Sequence, residues 1–380
     1  MKIRVDQKAL SDKLSEANRF TASKSSTPLL SGYFLEAKED NTLSLRTSSG
    51  VVVYETHLQS EVEEPGQCVV PASLFLSVIK SLETGEVSLT LKDDSLEIKQ
   101  KRSVSSMSIM PVDGFPELHR ARLTQKLMLP VNEFVKIGQK VMVSASSDET
   151  KPVLTSLALE MAQPNALVST DGFRLFRWSV DLALDEKGIF LLPARALKDF
   201  FAILEKTEET TLLCWTDPDR QEILFDLGAT GDEAAVTSFQ VSSIQGEFPP
   251  YQAIIPESVG FSLKVDRELF SQRVSQAMIF AREFSSIVVF EVDMTQESPE
   301  FVISSQASVK GKTESRLPIN SLEGTPVKFA CNGRYVLDYL GATAATEVVI
   351  SGNESLKPVL LANSDNDQEL YLIMPFKLQE

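Results

Sequence analysis

One order of apolar patterns runs through this chain three times, and it constrains the fold more than any single motif. The pattern alternates between period 2, the signature of a half-buried strand, and period 3.6, the signature of an amphipathic helix. Strand-like Ile3-Arg4-Val5 leads into a helix with Leu10, Leu14 and Ala17 on one face. Strand-like runs follow near 30–36, 42–47 and 50–57. Val69-Val70-Pro71-Ala72 then opens a second helix carrying Phe75, Val78 and Ile79, and three more runs lie near 86–91, 95–100 and 103–110. The round closes on Gly114-Phe115-Pro116 and begins again at Leu127-Met128-Leu129-Pro130. In the second round Leu191-Leu192-Pro193-Ala194 opens the second helix, and Glu247-Phe248-Pro249-Pro250-Tyr251 ends the copy. The third round starts at Phe261-Ser262-Leu263-Lys264-Val265, with Asp266 and Asn332 as helix caps, and closes on Met374-Pro375-Phe376.

Two independent marker sets in one order separate a true repeat from the loose recurrences of any α+β chain. The pattern predicts an α+β fold of three similar domains, 1–125, 126–256 and 257–380, each with two helices and about eight short antiparallel strands. The helices are expected at 6–20, 72–82, 131–143, 194–206, 266–282 and 332–342. Linkers fall near 119–126 and 255–260.

Little in the chain suggests covalent chemistry. It has two histidines, His57 and His119, neither beside a second candidate group in sequence. No nucleophile elbow, phosphate-binding glycine loop, Cys-x-x-Cys or His-x-x-x-His occurs. The charge runs Glu61–Glu64 and Glu205–Glu209 read as solvated loops, and no metal or cofactor is expected. Cys68, Cys214 and Cys331 are odd in number and far apart, which fits a reducing cytoplasm. No apolar run approaches the ~18 residues of a membrane span, and the first residues show no secretory pattern. A net charge of −16 argues against a protein held on nucleic acid by its overall charge. The six expected helices nevertheless sum to +4. Gathered on one face, they would attract phosphates weakly and without sequence preference.

Ser169-Thr170-Asp171-Gly172-Phe173-Arg174-Leu175 is the most distinctive local stretch. Asp-Gly is a tight-turn signal, so this is a hairpin that carries Phe and Arg at a sheet margin. Its first-copy counterpart, Thr47-Ser48-Ser49-Gly50, has no Phe-Arg-Leu after it. Together with the Pro-Ala and Phe-Pro markers, Gly246-Glu247-Phe248-Pro249-Pro250-Tyr251, Tyr335-Val336-Leu337-Asp338 and the tail Met374-Pro375-Phe376-Lys377-Leu378, this stretch resembles the bacterial DNA polymerase III beta subunits, the sliding clamps. The resemblance runs from Lys2 to Leu378 in order.

That resemblance implies a head-to-tail homodimer whose six domains close a ring around double-stranded DNA. It implies a non-catalytic processivity factor, opened by a clamp loader, that tethers the catalytic subunit of the replicative polymerase. Other polymerases and repair proteins would dock through short linear motifs. Carried over by position, the partner pocket uses Leu154, Thr170, Gly172, Phe173, Arg174, Leu175, Pro249 and Ile254, closed by Leu372, Ile373, Met374, Pro375, Phe376, Lys377 and Leu378. Thr170, Arg174 and backbone groups would hold an extended segment by hydrogen bonds over an adaptable apolar floor. DNA contacts by position are Lys24, Lys151, Arg195 and Lys198, and the ring seam uses Met107 against Met278 and Ile279. The chain departs from the family at Ala253, where an arginine is frequent, at Pro152-Val153, where aromatics are frequent, and in the extra Gln379-Glu380. Two other classes stay open on the residues: a monomeric peptide-binding module using the same pocket, and an enzyme with its site between the second and third copies.

Overall fold

The computed structural model describes residues 1–22, 27–120, 125–161, 164–181, 188–229, 235–282, 286–295, 297–307 and 311–377. Among these the six expected helices are present: α1 (Gln7–Ala17), α2 (Ala72–Ser81), α3 (Val131–Val141), α4 (Ala194–Leu204), α5 (Arg267–Ala281) and α6 (Gly333–Ala342). Each starts where its sequence signal lies. Carboxylates of Asp6 and Asp266 accept from the N–H groups of Ala9 and Leu269 at 2.9 and 2.7 Å, and Asn332 accepts from Arg334 at 2.9 Å. These bonds satisfy donors that have no partner within the helix. α1 buries Leu10, Leu14 and Ala17, the i, i+4, i+7 stripe that the periodicity specifies.

The chain gathers into two compact units that do not follow the repeats: Met1–Val135 with Ala196–Ser243, and Lys136–Arg195 with Ile244–Glu380. Each unit is organised on a sheet that two repeats share. The first unit has an eight-stranded sheet in the order 125–130, 211–217, 222–227, 237–242, 52–59, 42–48, 32–37, 66–71, and a five-stranded sheet that ends on 103–108. The second has a nine-stranded sheet in the order 189–193, 156–160, 166–170, 174–179, 366–373, 359–363, 347–352, 261–266, 321–324, and a four-stranded sheet that ends on 311–318.

The two shared sheets are joined by one rule. The last strand of a repeat pairs antiparallel with the strand after the first hairpin of the preceding repeat. In the first unit this sets Phe239 opposite Tyr54, and in the second Tyr371 opposite Phe176. Aromatic rings fill both joints. Phe20 lies 4.8 Å from Tyr54, and Phe200 stacks on Phe239 at 4.3 Å. In the second unit Tyr339 stacks on Tyr371 at 4.9 Å, and Phe176 meets Tyr371 edge-on at 5.5 Å. A second mark repeats three times: a hydroxyl on the first hairpin donates to the carbonyl of a residue near the end of the first helix. Thr47 bonds Ala17, Ser169 bonds Val141 and Ser305 bonds Ala277. These bonds fix which residues correspond among the copies.

Three expectations are corrected. Glu61–Glu64 is an edge strand paired with residues 2–4, not a loop; Glu63 meets Lys2 at 2.5 Å and Arg4 at 2.6 Å. Charge on an edge strand discourages pairing with foreign strands. Met107 and Met278 are each 5% exposed and belong to the interiors of their own units, whereas Ile279 is 70% exposed. Strand alternation places Met107 inward opposite Leu96 and leaves Val104 outward, 58% exposed. Met278 fills the space over Gly333, where an added Cβ would come within 2.7 Å of its sulfur.

Candidate functional site

The hairpin 166–170/174–179 turns through Asp171-Gly172-Phe173, and local hydrogen bonds specify the turn fully. The Thr170 hydroxyl donates to the Arg174 carbonyl at 2.6 Å and accepts from the Gly172 N–H at 3.0 Å. One Asp171 oxygen accepts from the Phe173 and Arg174 N–H groups at 2.9 and 3.0 Å. Gly172 has φ +92°, a conformation other residues adopt only with strain, although open space surrounds it. The turn therefore presents Phe173, 57% exposed, to solvent.

The shared sheet brings the C-terminal tail beside this turn. Arg174 lies opposite Ile373 and Leu175 opposite Leu372, and the Met374 N–H donates to the Phe173 carbonyl at 2.8 Å. Phe376 is tied down by its N–H to the Ala330 carbonyl at 2.7 Å. On one face of the sheet Leu175, Leu372, Val168, Ala158, Ala166 and Leu360 form a buried apolar cluster beneath the turn and the tail. Val153, Phe248, Ile255 and Met374 pack around it half-buried. Gly246 has φ +139°, and a Cβ there would lie 2.6 Å from Val153. Burying Leu175 and Leu372 stabilises the joint by about 1.5–3 kcal/mol each.

The residues expected from sequence divide into groups. Leu175, Leu372 and Met374 belong to the cluster and its rim. Leu154 is 8% exposed, next to Val153, and Ile254 is 43% exposed, beside Ile255. Pro249 accepts from the Tyr251 N–H at 2.7 Å, next to Phe248. Leu378, Gln379, Glu380 and Lys24 lie outside the described residues. Lys151, Arg195 and Lys198 are exposed.

Thr170 and Arg174 do not match their expected use. The Thr170 hydroxyl is committed within the turn. Alternation puts Leu175 on the face of that cluster and Arg174 on the opposite one. There Arg174 meets Asp171 at 3.0 Å, Asp338 at 2.5 Å and the Tyr371 hydroxyl at 3.4 Å, with its guanidinium 4.3 Å from the Tyr335 ring centre. Burial opposes its charge, but Tyr371, Asp338 and Asp171 outweigh that and raise its pKa. Sequence reasoning did not assign Tyr335 and Asp338 to the site. Their i, i+3 spacing on α6 was the available signal.

An enzyme site does not assemble. His57 does stand between Ser44, at 2.8 Å, and Glu55, at 3.5 Å, a contact its sequence neighbours did not suggest. Ser44 is 1% exposed, so no substrate reaches its hydroxyl. Among the described residues no group of His, Cys, Asp and Glu could hold a metal, and no helix is long and apolar enough to cross a membrane. Burial lowers the His57 pKa, against the pull of Glu55 and with Lys38, Arg120 and Arg46 nearby. The unfolded chain therefore takes up a proton near pH 6.5 that the folded one refuses. His57 thus lowers stability as pH falls from 6.5 toward its folded value. In urea unfolding between pH 7 and 5, His57→Gln is expected to show a shallower loss than the parent; an equal slope counts against this assignment.

The fold defines a class: a protein of three clamp domains joined through shared sheets. Family models for the N-terminal, central and C-terminal domains of the DNA polymerase III beta subunit match residues 1–119, 128–250 and 252–377. The beta sliding clamp of Caulobacter vibrioides is 24% identical over 388 residues and covers all of both chains. Solved clamps from Bacillus subtilis and Pseudomonas aeruginosa, the second bound to griselimycin, superpose with TM-scores of 0.90 and 0.88, each at 20% identity and over the full length of both chains. The chain belongs to the bacterial DNA polymerase III beta-subunit family, the sliding clamps, which are non-catalytic processivity subunits of the polymerase.

Proposed function

We propose that two copies of this chain close head to tail around duplex DNA in the cytoplasm, and that the groove at Leu175 and Leu372 tethers polymerases and other partners by short linear motifs. The observation that carries the ring is the pair of unfinished sheets. The joining rule pairs a last strand with a hairpin strand, and it is used twice within the chain. It leaves 103–108 and 311–318 at sheet edges. Joining them within one chain would repeat no symmetry, but joining them between two copies extends the rule to a third joint and closes a heterologous interface. The hydroxyl marks make Phe280 the counterpart of Phe20 and Ile279 that of Arg19. On the other side, Val78 is the counterpart of Phe200 and Tyr339. Ile279 and the 51%-exposed Leu74 thus replace Met278 and Met107 as the proposed apolar contacts of the seam.

Enclosure rather than affinity holds such a ring on DNA, which suits a chain of charge −16. Lys151, Arg195 and Lys198, and Lys24 by position, are the proposed phosphate contacts. A clamp loader would open the seam. The test is retention after loading. The protein should stay on nicked circular DNA through gel filtration at 0.2 M salt and leave when the circle is cut; equal loss from circle and line would defeat the ring. For the groove, Phe173→Ala is expected to weaken binding of the replicative polymerase's catalytic subunit about tenfold, ~1.4 kcal/mol. Phe173 is exposed, so the melting temperature should stay put. Unchanged affinity, measured by biolayer interferometry, would remove Phe173 from the site.

A further inference from the structure

We propose that Asp338 is a positioning residue of the docking groove: from α6 it holds the Arg174 guanidinium and so fixes the turn that presents Phe173. This rests on the reading of that groove as the partner site.

The turn belongs to the second repeat and α6 to the third, 164 residues apart along the chain. Two kinds of link cross between them. The backbone link, Met374 N–H to Phe173 carbonyl, holds the turn from the tail side. The side-chain link runs through Arg174, which is 11% exposed and shared between Asp171 in its own turn and Asp338 on the helix. Tyr371 completes the arrangement: its hydroxyl donates to the Tyr335 carbonyl at 2.9 Å and lies 3.4 Å from Arg174. The guanidinium is thus held by carboxylates at two of its edges and lies against the Tyr335 ring. A planar fork held on several sides has one orientation, and so has the turn that bears it.

The same helix position serves the other joint in a plainer way. Asp199 occupies in α4 the place of Asp338 in α6, counted from the helix start, and pairs with Arg19 at 3.1 Å. There the arginine comes from the turn that follows α1. In the second unit it comes from the Phe173 turn instead. The first repeat has Ser77 at that position. An aspartate that fastens one repeat to the next in the first unit therefore fastens the groove wall in the second.

The test uses the full-length dimer and the purified catalytic subunit of its own replicative polymerase as the probe. Asp338→Asn keeps the shape and removes the charge. It is expected to weaken polymerase binding about tenfold while retention on nicked circular DNA is unchanged. Asp338→Glu should recover affinity to within about threefold of the parent, and Asp338→Asn should add little to Arg174→Gln. A role in the joint alone would lower retention and binding together, and that outcome overturns the proposal. So does binding within twofold of the parent in Asp338→Asn. If Phe173→Ala itself leaves binding unchanged, the groove reading fails, and Asp338 falls with it; if Phe173→Ala weakens binding and Asp338→Asn does not, only the positioning role fails.

Discussion

Lys140→Met is expected to destabilise the second unit by about 3–5 kcal/mol, the largest single-residue effect this structure predicts. The Glu369 side chain is fully buried, with the buried Tyr339 hydroxyl the neutral polar group interacting with it. Its only opposing charge among the described ion pairs is Lys140, 3.7 Å away and 11% exposed, which also sits 4.9 Å over the Trp178 ring. Trp178 and Glu369 face each other across the strand pair that joins the second and third repeats. Removing the ammonium leaves a buried carboxylate with no opposing charge and only the Tyr339 hydroxyl against its lost hydration. The double variant Lys140→Met/Glu369→Met should recover most of the loss, because the pair as a whole contributes little beyond what well-packed apolar side chains would. Urea unfolding followed by hydrogen exchange in 174–179 and 366–373 measures both. A single variant as stable as the parent, or a double variant no better than the single, would show that the pair does not carry the joint.

What the sequence made legible was local. Each helix could be found from its apolar period and its cap, since both are written within a dozen residues; Asp266 and Asn332 are caps in the structure for the reason they were expected to be. The turn at Asp171-Gly172 was legible for the same reason. What could not be read was which surface each side chain serves, because a strand changes face at every residue. Arg174 and Leu175 are neighbours, yet one is locked against α6 and the other is buried in the apolar cluster on the opposite face. Met107 is core while Val104, three residues away, is exposed. Glu61–Glu64 reads as loop by charge and is a strand because Lys2 and Arg4 stand opposite. The three domains read from the repeat agree with the three family models. What could not be read is how neighbouring repeats share a sheet, because that depends on pairings such as Trp178 with Glu369 that no window of sequence contains. The turn stood out because it breaks the threefold symmetry; Asp338 did not, because Asp199 holds the same place in the second repeat.

Ile279→Asp is expected to turn the dimer into free chains of 42.0 kDa, with a loss of more than about 100-fold in self-association. Ile279 is 70% exposed, so the change should leave the fold intact. The expectation follows from the counterpart positions. Arg19, its equivalent in the first repeat, binds Asp199 across one internal joint. The first-repeat equivalent of Asp199 is Ser77, and the exposed Leu74 lies one helical turn before it on α2. In the proposed seam an apolar contact would stand where the internal joint has an ion pair. Setting an unpaired carboxylate there costs several kcal/mol, against about 2.8 kcal/mol needed for two decades in affinity. Sedimentation velocity at 1–10 μM reads the species directly, and retention on nicked circles should vanish in parallel. A variant that stays dimeric would place the seam elsewhere. A variant that becomes monomeric yet still binds the polymerase catalytic subunit would separate the two halves of the proposed function, because the residues of the proposed groove all belong to the second unit.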